Sequence, residues 1–223
     1  MSARFRPALA VGLVLAVGCT GIASAAAKKA AAKPVCNLVT DPVGDSSVYP
    51  ASGVHDDALD ITSVDVATDK TSVTGVIRVK KLAATSTNAP TGMNWTVNFS
   101  ADGTDFSLAG HSTAAGTIVF DTAYAGATGG SIYGPGTTGV FDTAKNEVRI
   151  TAPLSLLAPQ ASIRPGKTKL TGLNGRTGVE VLVPDATGML GSTIFSDSPF
   201  TADDTTKGPD YLAGTPSCVV PGK

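Results

Sequence analysis

The chain has 223 residues, of which 42% are hydrophobic and 16% are charged. All 18 acidic residues follow Cys36, together with 12 of the 17 basic ones, so the chain from Cys36 onward carries a net charge of −6. Proteins that bind nucleic acid present a clustered basic face, and this charge distribution argues against such a partner. The same stretch is long enough for one domain with a sizeable core.

The N-terminal segment has the features of an export signal. Arg4 and Arg6 precede an uncharged run from Ala8 to Val17, and Ala23-Ser24-Ala25 fits the site that signal peptidase cleaves. The run is too short to span a bilayer as a permanent helix. We predict that residues 1–25 are a signal peptide, and that the mature protein is secreted and has no transmembrane segment.

Cys19 offers an alternative way of processing the same segment. The stretch Leu15-Ala16-Val17-Gly18-Cys19 fits a permissive bacterial lipobox, in which the cysteine is lipidated and anchors the chain. Residues 26–35 are almost entirely alanine and lysine, a composition typical of a disordered linker. The sequence therefore predicts that the folded domain covers residues 36–223.

After either processing route, Cys36 and Cys218 remain as an even pair. In an oxidising compartment such a pair favours a disulfide, whereas the alternative is two unpaired thiols. A bridge here would close almost the whole domain into one loop, which stabilises the fold by about 4–5 kcal/mol in the chain-entropy model. It also predicts that the first and last segments of the domain lie side by side.

Beyond Cys36, apolar and polar residues alternate with the period of β-strands. The pattern predicts a strand over Leu59–Thr68, a turn at residues 69–71 and a partner strand around Val73–Val79. The clearest case is Met93–Ser100, where Trp95 falls on the apolar face and is predicted to pack in the core. Ala101–Thr104 reads as the turn of a hairpin.

Shorter alternating segments continue to the end of the domain, and a single helical turn is predicted at Pro153–Leu157. Further strands are predicted at Thr117–Asp121, Gly139–Asp142, Glu147–Thr151, Thr168–Leu173 and Val179–Val183. Many short strands separated by turns predict an all-β fold, a single antiparallel β-sandwich of jelly-roll type with very little helix. Thr122–Thr138 and Phe195–Tyr211 are predicted to be long loops, where function usually resides on such a scaffold.

Aspartates crowd the beginning of the domain. Calcium takes six to eight oxygen ligands and favours carboxylates on loops. The candidate metal ligands are Asp41, Asp45, Asp57 and Asp60, with Asp56 beside them. The alternative is that these side chains only shape turns by accepting backbone hydrogen bonds. A second acidic group, Asp203, Asp204 and Asp210, is interpreted as a solvated loop.

Patterns associated with catalysis occur without the context that they require. Gly110–Ala114 resembles a degenerate nucleophile elbow, but neither histidine, His55 nor His111, follows its serine as that class of hydrolase requires. Gly134–Gly139 matches a dinucleotide fingerprint but leads into a predicted strand instead of a helix. We therefore predict a non-catalytic protein that needs no cofactor other than a possible structural calcium.

Binding of a carbohydrate requires aromatic side chains beside polar groups. Tyr124, Tyr133 and Tyr211 lie in the predicted loops and are the candidate ligand-binding residues. Exposed loop tyrosines with no ligand are the alternative for each of them, since aromatic residues make up only 5% of the chain.

Short motifs resemble those of the DOMON-like, family-nine-type carbohydrate-binding modules, which also form the C-terminal domains of glucodextranase-type enzymes. They are Asp41-Pro42-Val43-Gly44-Asp45, Tyr49-Pro50, Ala58–Val66, Asn146–Leu154 and Arg164–Lys167. The resemblance implies an antiparallel β-sandwich that binds sugars, haem or other ligands, often with a calcium near the first strand held by Asp41, Asp45 and Asp60. It predicts a glycan or cell-envelope partner. The alternative is an extracellular structural or interaction protein with no small ligand.

Overall fold

The computed structural model describes residues 33–48, 53–125, 131–134, 136–180, 182–183, 192–193 and 201–222. All of them belong to one compact unit, Ala32–Lys223. The predicted signal peptide at residues 1–25, the lipobox cysteine Cys19 and most of the predicted linker lie outside the described residues. No helix in the described part of the chain is long and apolar enough to cross a membrane.

The described residues form fourteen strands and one short helix. The elements are β1 (Val39–Thr40), β2 (Ile61–Thr68), β3 (Ser72–Val79), β4 (Gly92–Ala101), β5 (Thr104–Thr113), β6 (Ile118–Ala125), β7 (Ser131–Gly134), β8 (Thr138–Asp142), β9 (Glu147–Pro153), α1 (Leu154–Leu157), β10 (Lys169–Val179), β11 (Leu182–Val183), β12 (Ser192–Thr193), β13 (Thr201–Asp204) and β14 (Tyr211–Leu212). The helical turn lies where the sequence predicts it.

Two antiparallel sheets pack against each other. The five-stranded sheet has the order β1-β2-β3-β9-β8, and the seven-stranded sheet has the path β13-β10-β4-β5-β6-β7, with β14 also pairing with β10. Strands β11 and β12 pair with each other in a separate ladder. This architecture confirms the predicted all-β sandwich.

Alternate residues of the central strands fill the core between the sheets. In β4, Trp95 and Val97 are fully buried, as the alternating pattern predicts. The indole Nε1–H of Trp95 donates to the carbonyl of Ala58 at 2.7 Å, so the buried ring leaves no polar atom unsatisfied. Its edge meets the ring of Phe141 with the centroids 5.3 Å apart. The predicted core role of Trp95 is confirmed.

Two glycines let the sheets approach closely. A Cβ on Gly75 would lie 2.9 Å from Cβ of Val97, and one on Gly175 would lie 2.5 Å from Cγ2 of Val64. Any side chain at these positions would therefore push the two sheets apart.

The observed strands and turns agree with the sequence-based prediction in some places and differ from it in others. Asp102 and Gly103 have φ of 49° and 81°, the left-handed pair that joins β4 and β5 in a tight hairpin. The strand predicted at Thr168–Leu173 is the first part of a longer strand, β10, because a register shift after Thr171 carries the chain onward along β4 to Val179. Of the strand predicted at Val179–Val183, Val179 ends β10, and Leu182–Val183 form β11. The predicted loops at 122–138 and 195–211 contain β7 and β13, respectively.

The predicted disulfide between Cys36 and Cys218 is present, and its cysteines lie 182 positions apart in the sequence. Beside it, Val35 and Ser217 form a parallel bridge. The amide of Val35 donates to the carbonyl of Pro216 at 3.0 Å. The first and last segments of the domain therefore lie side by side, as the pairing predicts.

Candidate metal centre

Three carboxylates converge where the edges of the two sheets meet. Asp41 follows β1, Asp45 lies in the next turn and Asp203 belongs to β13; one carboxylate oxygen of each lies within 4.8 Å of the others. Strand β1 is the edge of the five-stranded sheet, and β13 is an edge of the seven-stranded one. The cluster therefore joins both layers of the sandwich.

Backbone amides hold Asp203 in place. Its Oδ2 accepts from the amide of Ile61 at 2.7 Å, and its Oδ1 accepts from the amide of Asp204 at 2.9 Å. Only 8% of the residue is exposed. The contact with Ile61 crosses from one sheet to the other and fixes the position of the Asp203 carboxylate. The carboxylates of Asp41 and Asp45 approach it from the loop after β1.

Asp60 shapes the turn that carries the other two carboxylates. Both of its carboxylate oxygens accept from the amide of Gly44 at 2.9 Å, and the residue is 1% exposed. Gly44 has a φ of 95°, a conformation that glycine adopts without strain. Asp60 thus positions the turn between Asp41 and Asp45.

The three carboxylates repel one another. Burial raises the pKa of Asp203 to about 7, and the charges of Asp41 and Asp45 add to the increase, while the amide of Ile61 opposes it. The pKa of Asp41 is also raised, by burial and by repulsion from Asp45 and Asp60, while a hydrogen bond with the Asp203 carboxyl opposes the increase. Its Oδ2 is buried and has no hydrogen-bond partner in the described part of the chain. An added cation would satisfy this oxygen and neutralise the excess charge.

Two of the predicted metal ligands, Asp57 and Asp60, do not belong to the three-carboxylate group. The side chain of Asp57 is 48% exposed and pairs with Nζ of Lys80 at 2.8 Å, so it lies outside the three-carboxylate group. Asp60 binds the Gly44 amide with both oxygens and lies 3.8 Å from the same Nζ. The proposed ligand set therefore becomes Asp41, Asp45 and Asp203.

The interpretation of Asp203 as part of a solvated loop is wrong. It is buried, and the residue whose amide it binds is 142 positions away in the chain. No local pattern carries such a contact. Asp203 belongs instead to β13, where it and Ala202 are both buried.

The candidate aromatic residues do not assemble into a platform in the described part of the chain. Tyr211 is 2% exposed, and its hydroxyl donates to the carbonyl of Thr215 at 2.7 Å, which places it in the core instead of an exposed loop. Tyr124 is half-buried, with its ring 6.2 Å from that of Phe106. Tyr133 lies in β7, and its side chain is outside the described residues.

The two histidines are engaged in contacts of their own. Nδ1 of His55 contacts the carbonyl of Ser46. His111 lies between Glu180 and Asp121, with distances of 3.1 Å from Nδ1 to Oε2 and 3.2 Å from Nε2 to Oδ2. Burial opposes its charge, but the two carboxylates outweigh burial and raise the pKa of His111 to about 9.

Ser112 is not activated by its histidine neighbour. Its hydroxyl oxygen accepts from the amide of Met93 at 3.1 Å, while His111 is held by the two carboxylates. Gly110–Thr113 belong to strand β5, whereas a nucleophile elbow requires a sharp turn from a strand into a helix.

No protein-family model matches the sequence, and no curated protein matches it. The resemblance to DOMON-like carbohydrate-binding modules therefore stays a prediction.

Proposed function

We propose that this chain is an exported, non-catalytic β-sandwich module in which Asp41, Asp45 and Asp203 hold a divalent cation. The observation that carries the proposal is the convergence of three carboxylates, one of which, Asp41, has a buried Oδ2 without a hydrogen-bond partner in the described part of the chain. In this role the protein is an extracellular structural or interaction module. The disulfide Cys36–Cys218 supports export, because such bonds persist in oxidising compartments.

Calcium fits this donor set best. All three side chains offer carboxylate oxygen, which hard cations prefer, and none offers the nitrogen or sulfur that zinc favours. Calcium also accepts irregular geometry and completes its shell with water. Bound there, it would connect the loop after β1 to strand β13 and so close one edge of the sandwich.

Thermal unfolding with calcium and with a chelator tests the cation site. A cation that binds only the folded state raises the unfolding temperature as its concentration increases. We expect calcium to raise the midpoint of the unmodified protein, and Asp45→Asn to abolish this increase. Asp57→Asn is the matched control, since it removes an aspartate that pairs with Lys80 outside the cluster. If the unfolding midpoint of the unmodified protein changes with neither calcium nor chelator, the proposed site is rejected.

Glycan binding is the second candidate function. The observation that favours it is that Tyr124 is partly exposed while its ring lies 6.2 Å from that of the buried Phe106. An aromatic face that is held in place costs little ordering when it stacks on a ligand.

A glycan array and a cell-wall pulldown test the second candidate. We expect Tyr124→Leu to lose whatever glycan the unmodified protein retains, because leucine keeps the apolar contact with Phe106 but offers no flat ring. Empty results from both assays with the unmodified protein would reject this function and leave the cation site unaffected.

A further inference from the structure

The final residues of the domain lie across the outer face of the five-stranded sheet. We call Pro216–Gly222 the strap. Val219, 2% exposed, packs on Ala67 and Val76 in an apolar cluster separate from the main core. The amide of Gly222 donates to Oγ1 of Thr74 at 3.1 Å. The strap therefore shields from water a face of the sheet that would otherwise be exposed.

A charged network lies on the same face. Nη1 of Arg78 lies 2.7 Å from Oδ2 of Asp65, and its Nε lies 3.0 Å from Oε2 of Glu147. Arg149 binds Glu147 at 2.7 Å and also reaches the carbonyl of Val220 in the strap at 3.5 Å. The side chain of Asp65 is fully buried. Strap and network are therefore in direct contact.

Besides the disulfide, single hydrogen bonds and one buried side chain hold the strap. The amide of Val35 donates to the carbonyl of Pro216 at 3.0 Å, and that of Cys218 donates to the carbonyl of Val35 at 3.1 Å. The Gly222 bond to Thr74, the contact of Arg149 with Val220 and the packing of Val219 add to these. The neighbouring segments have anchors of their own. The amide of Leu38 donates to Oδ1 of Asp65 at 2.9 Å, and that of Gly214 donates to Oγ1 of Thr68 at 2.7 Å. Each strap contact is one hydrogen bond or one side chain, whereas the disulfide is the covalent tie between the strap and the first segment of the domain.

We propose that the Cys36–Cys218 disulfide is a reducible latch, whose opening releases the strap from a sandwich that stays folded. Both cysteines are exposed, so a thiol reductant can reach them. One thiolate of a dithiol attacks a sulfur of the bridge, forming a mixed disulfide and releasing the other cysteine as a thiol. The second thiol of the reductant then displaces the remaining cysteine. The protein gains two electrons and two protons, and the dithiol becomes its own disulfide.

Release of the strap also changes a cleft beside it. This cleft, of about 490 Å³, is walled on one side by Pro221 and Gly222 and carries the side chains of Ser72, Thr138 and Thr151 on the others. With the strap gone, the cleft is continuous with the face around Val76. Reduction thus converts a covered face into an open surface that combines apolar and charged side chains.

Nuclear magnetic resonance in the presence of dithiothreitol tests the latch on the whole chain. We expect the Val219 methyl and Gly222 amide signals to move to positions of unstructured chain, with a loss of their heteronuclear Overhauser effects. The indole N–H of Trp95, which is bonded to Ala58 in the core, should keep its position. The double variant Cys36→Ser, Cys218→Ser should give the same spectrum without reductant.

Three outcomes would overturn the proposal. Strap signals that stay unchanged after full reduction would show that the other contacts suffice. Loss of the Trp95 indole signal on reduction would show that the whole domain unfolds. Cysteines that react with dithiothreitol and iodoacetamide only in denaturant would show that the disulfide is inaccessible in the folded state.

Discussion

Two groups of carboxylates in this molecule differ in how their negative charge is neutralised. On the outer face of the five-stranded sheet, Asp65 and Glu147 are neutralised by the guanidinium groups of Arg78 and Arg149. At the sheet edge, no basic side chain in the described part of the chain pairs with the cluster of Asp41, Asp45 and Asp203. The first group is complete within the chain, whereas the second carries an unbalanced charge.

The difference follows from how each group is built. Arg78 and Glu147 are directly opposite each other on β3 and β9, and the sheet register brings the opposite charges together. The edge cluster is built from a loop and an edge strand, with no cross-strand neighbour to supply a cation. When no basic side chain neutralises a buried carboxylate, its pKa is raised or a cation from solution binds to it.

The largest effect should come from breaking the balanced group. Arg78→Met removes the cation and leaves the buried Asp65 without its charged partner. Removing one partner of a buried ion pair costs about 3 kcal/mol or more of unfolding free energy, because the remaining charge is uncompensated. Denaturation by urea, followed through Trp95 fluorescence, measures the loss.

The control for this variant is Lys145→Met, which removes an exposed ion pair with Asp142 in the β8–β9 turn. Exposed pairs contribute little, so its unfolding free energy should match that of the unmodified protein within error. Equal losses from the two variants would contradict the view that the outer-face network depends on Arg78.

His111 is an intermediate case, with one cation between two carboxylates. Its pKa rises from 6.5 to about 9 on folding, so the folded state binds the proton more tightly. The resulting stabilisation is complete below pH 6.5 and is lost as the pH rises through 9. By linkage it amounts to about 3 kcal/mol.

The unfolding free energies of the unmodified protein and of His111→Gln are compared between pH 6 and 9. Their difference isolates the stabilisation that comes from protonated His111. Other groups that titrate in the range affect both proteins and cancel in the difference. We expect the advantage of the unmodified protein to shrink as the pH rises. A constant difference across the range would mean that Asp121 and Glu180 do not hold the protonated form.

The fold could be predicted from the sequence wherever local patterns decide it. Alternation in Met93–Ser100 is a property of neighbouring residues, and β4 lies there with Trp95 buried. The short edge strands could not be predicted. Strand β1 has two residues, and β13 forms because its backbone pairs with β10 across a bulge. Such pairing depends on residues that are distant in sequence.

The candidate site shows the same limit. Asp41 and Asp45 lie four positions apart, and their proximity could be predicted from the turn between them. Asp203 joins them only because the fold brings the edges of both sheets together. Asp56 and Asp57 are adjacent in sequence, but Asp56 is buried, whereas Asp57 is exposed and pairs with Lys80. The short segment before β2 has no regular alternation from which this difference could be predicted.

The smallest expected effect has the opposite sign to that of Arg78→Met. In chelator, Asp45→Asn removes one of three mutually repelling charges, and the residue is exposed, so its replacement loses no packing. At a separation near 5 Å, with water between the groups, each of the two repulsions removed is on the order of 1 kcal/mol. We therefore expect Asp45→Asn to be slightly more stable than the unmodified protein in chelator and less stable in excess calcium. If Asp45→Asn is the less stable protein under both conditions, the carboxylate stabilises its turn and does not repel its neighbours. The edge cluster would then be balanced without a cation, and the contrast with the outer-face network would fail.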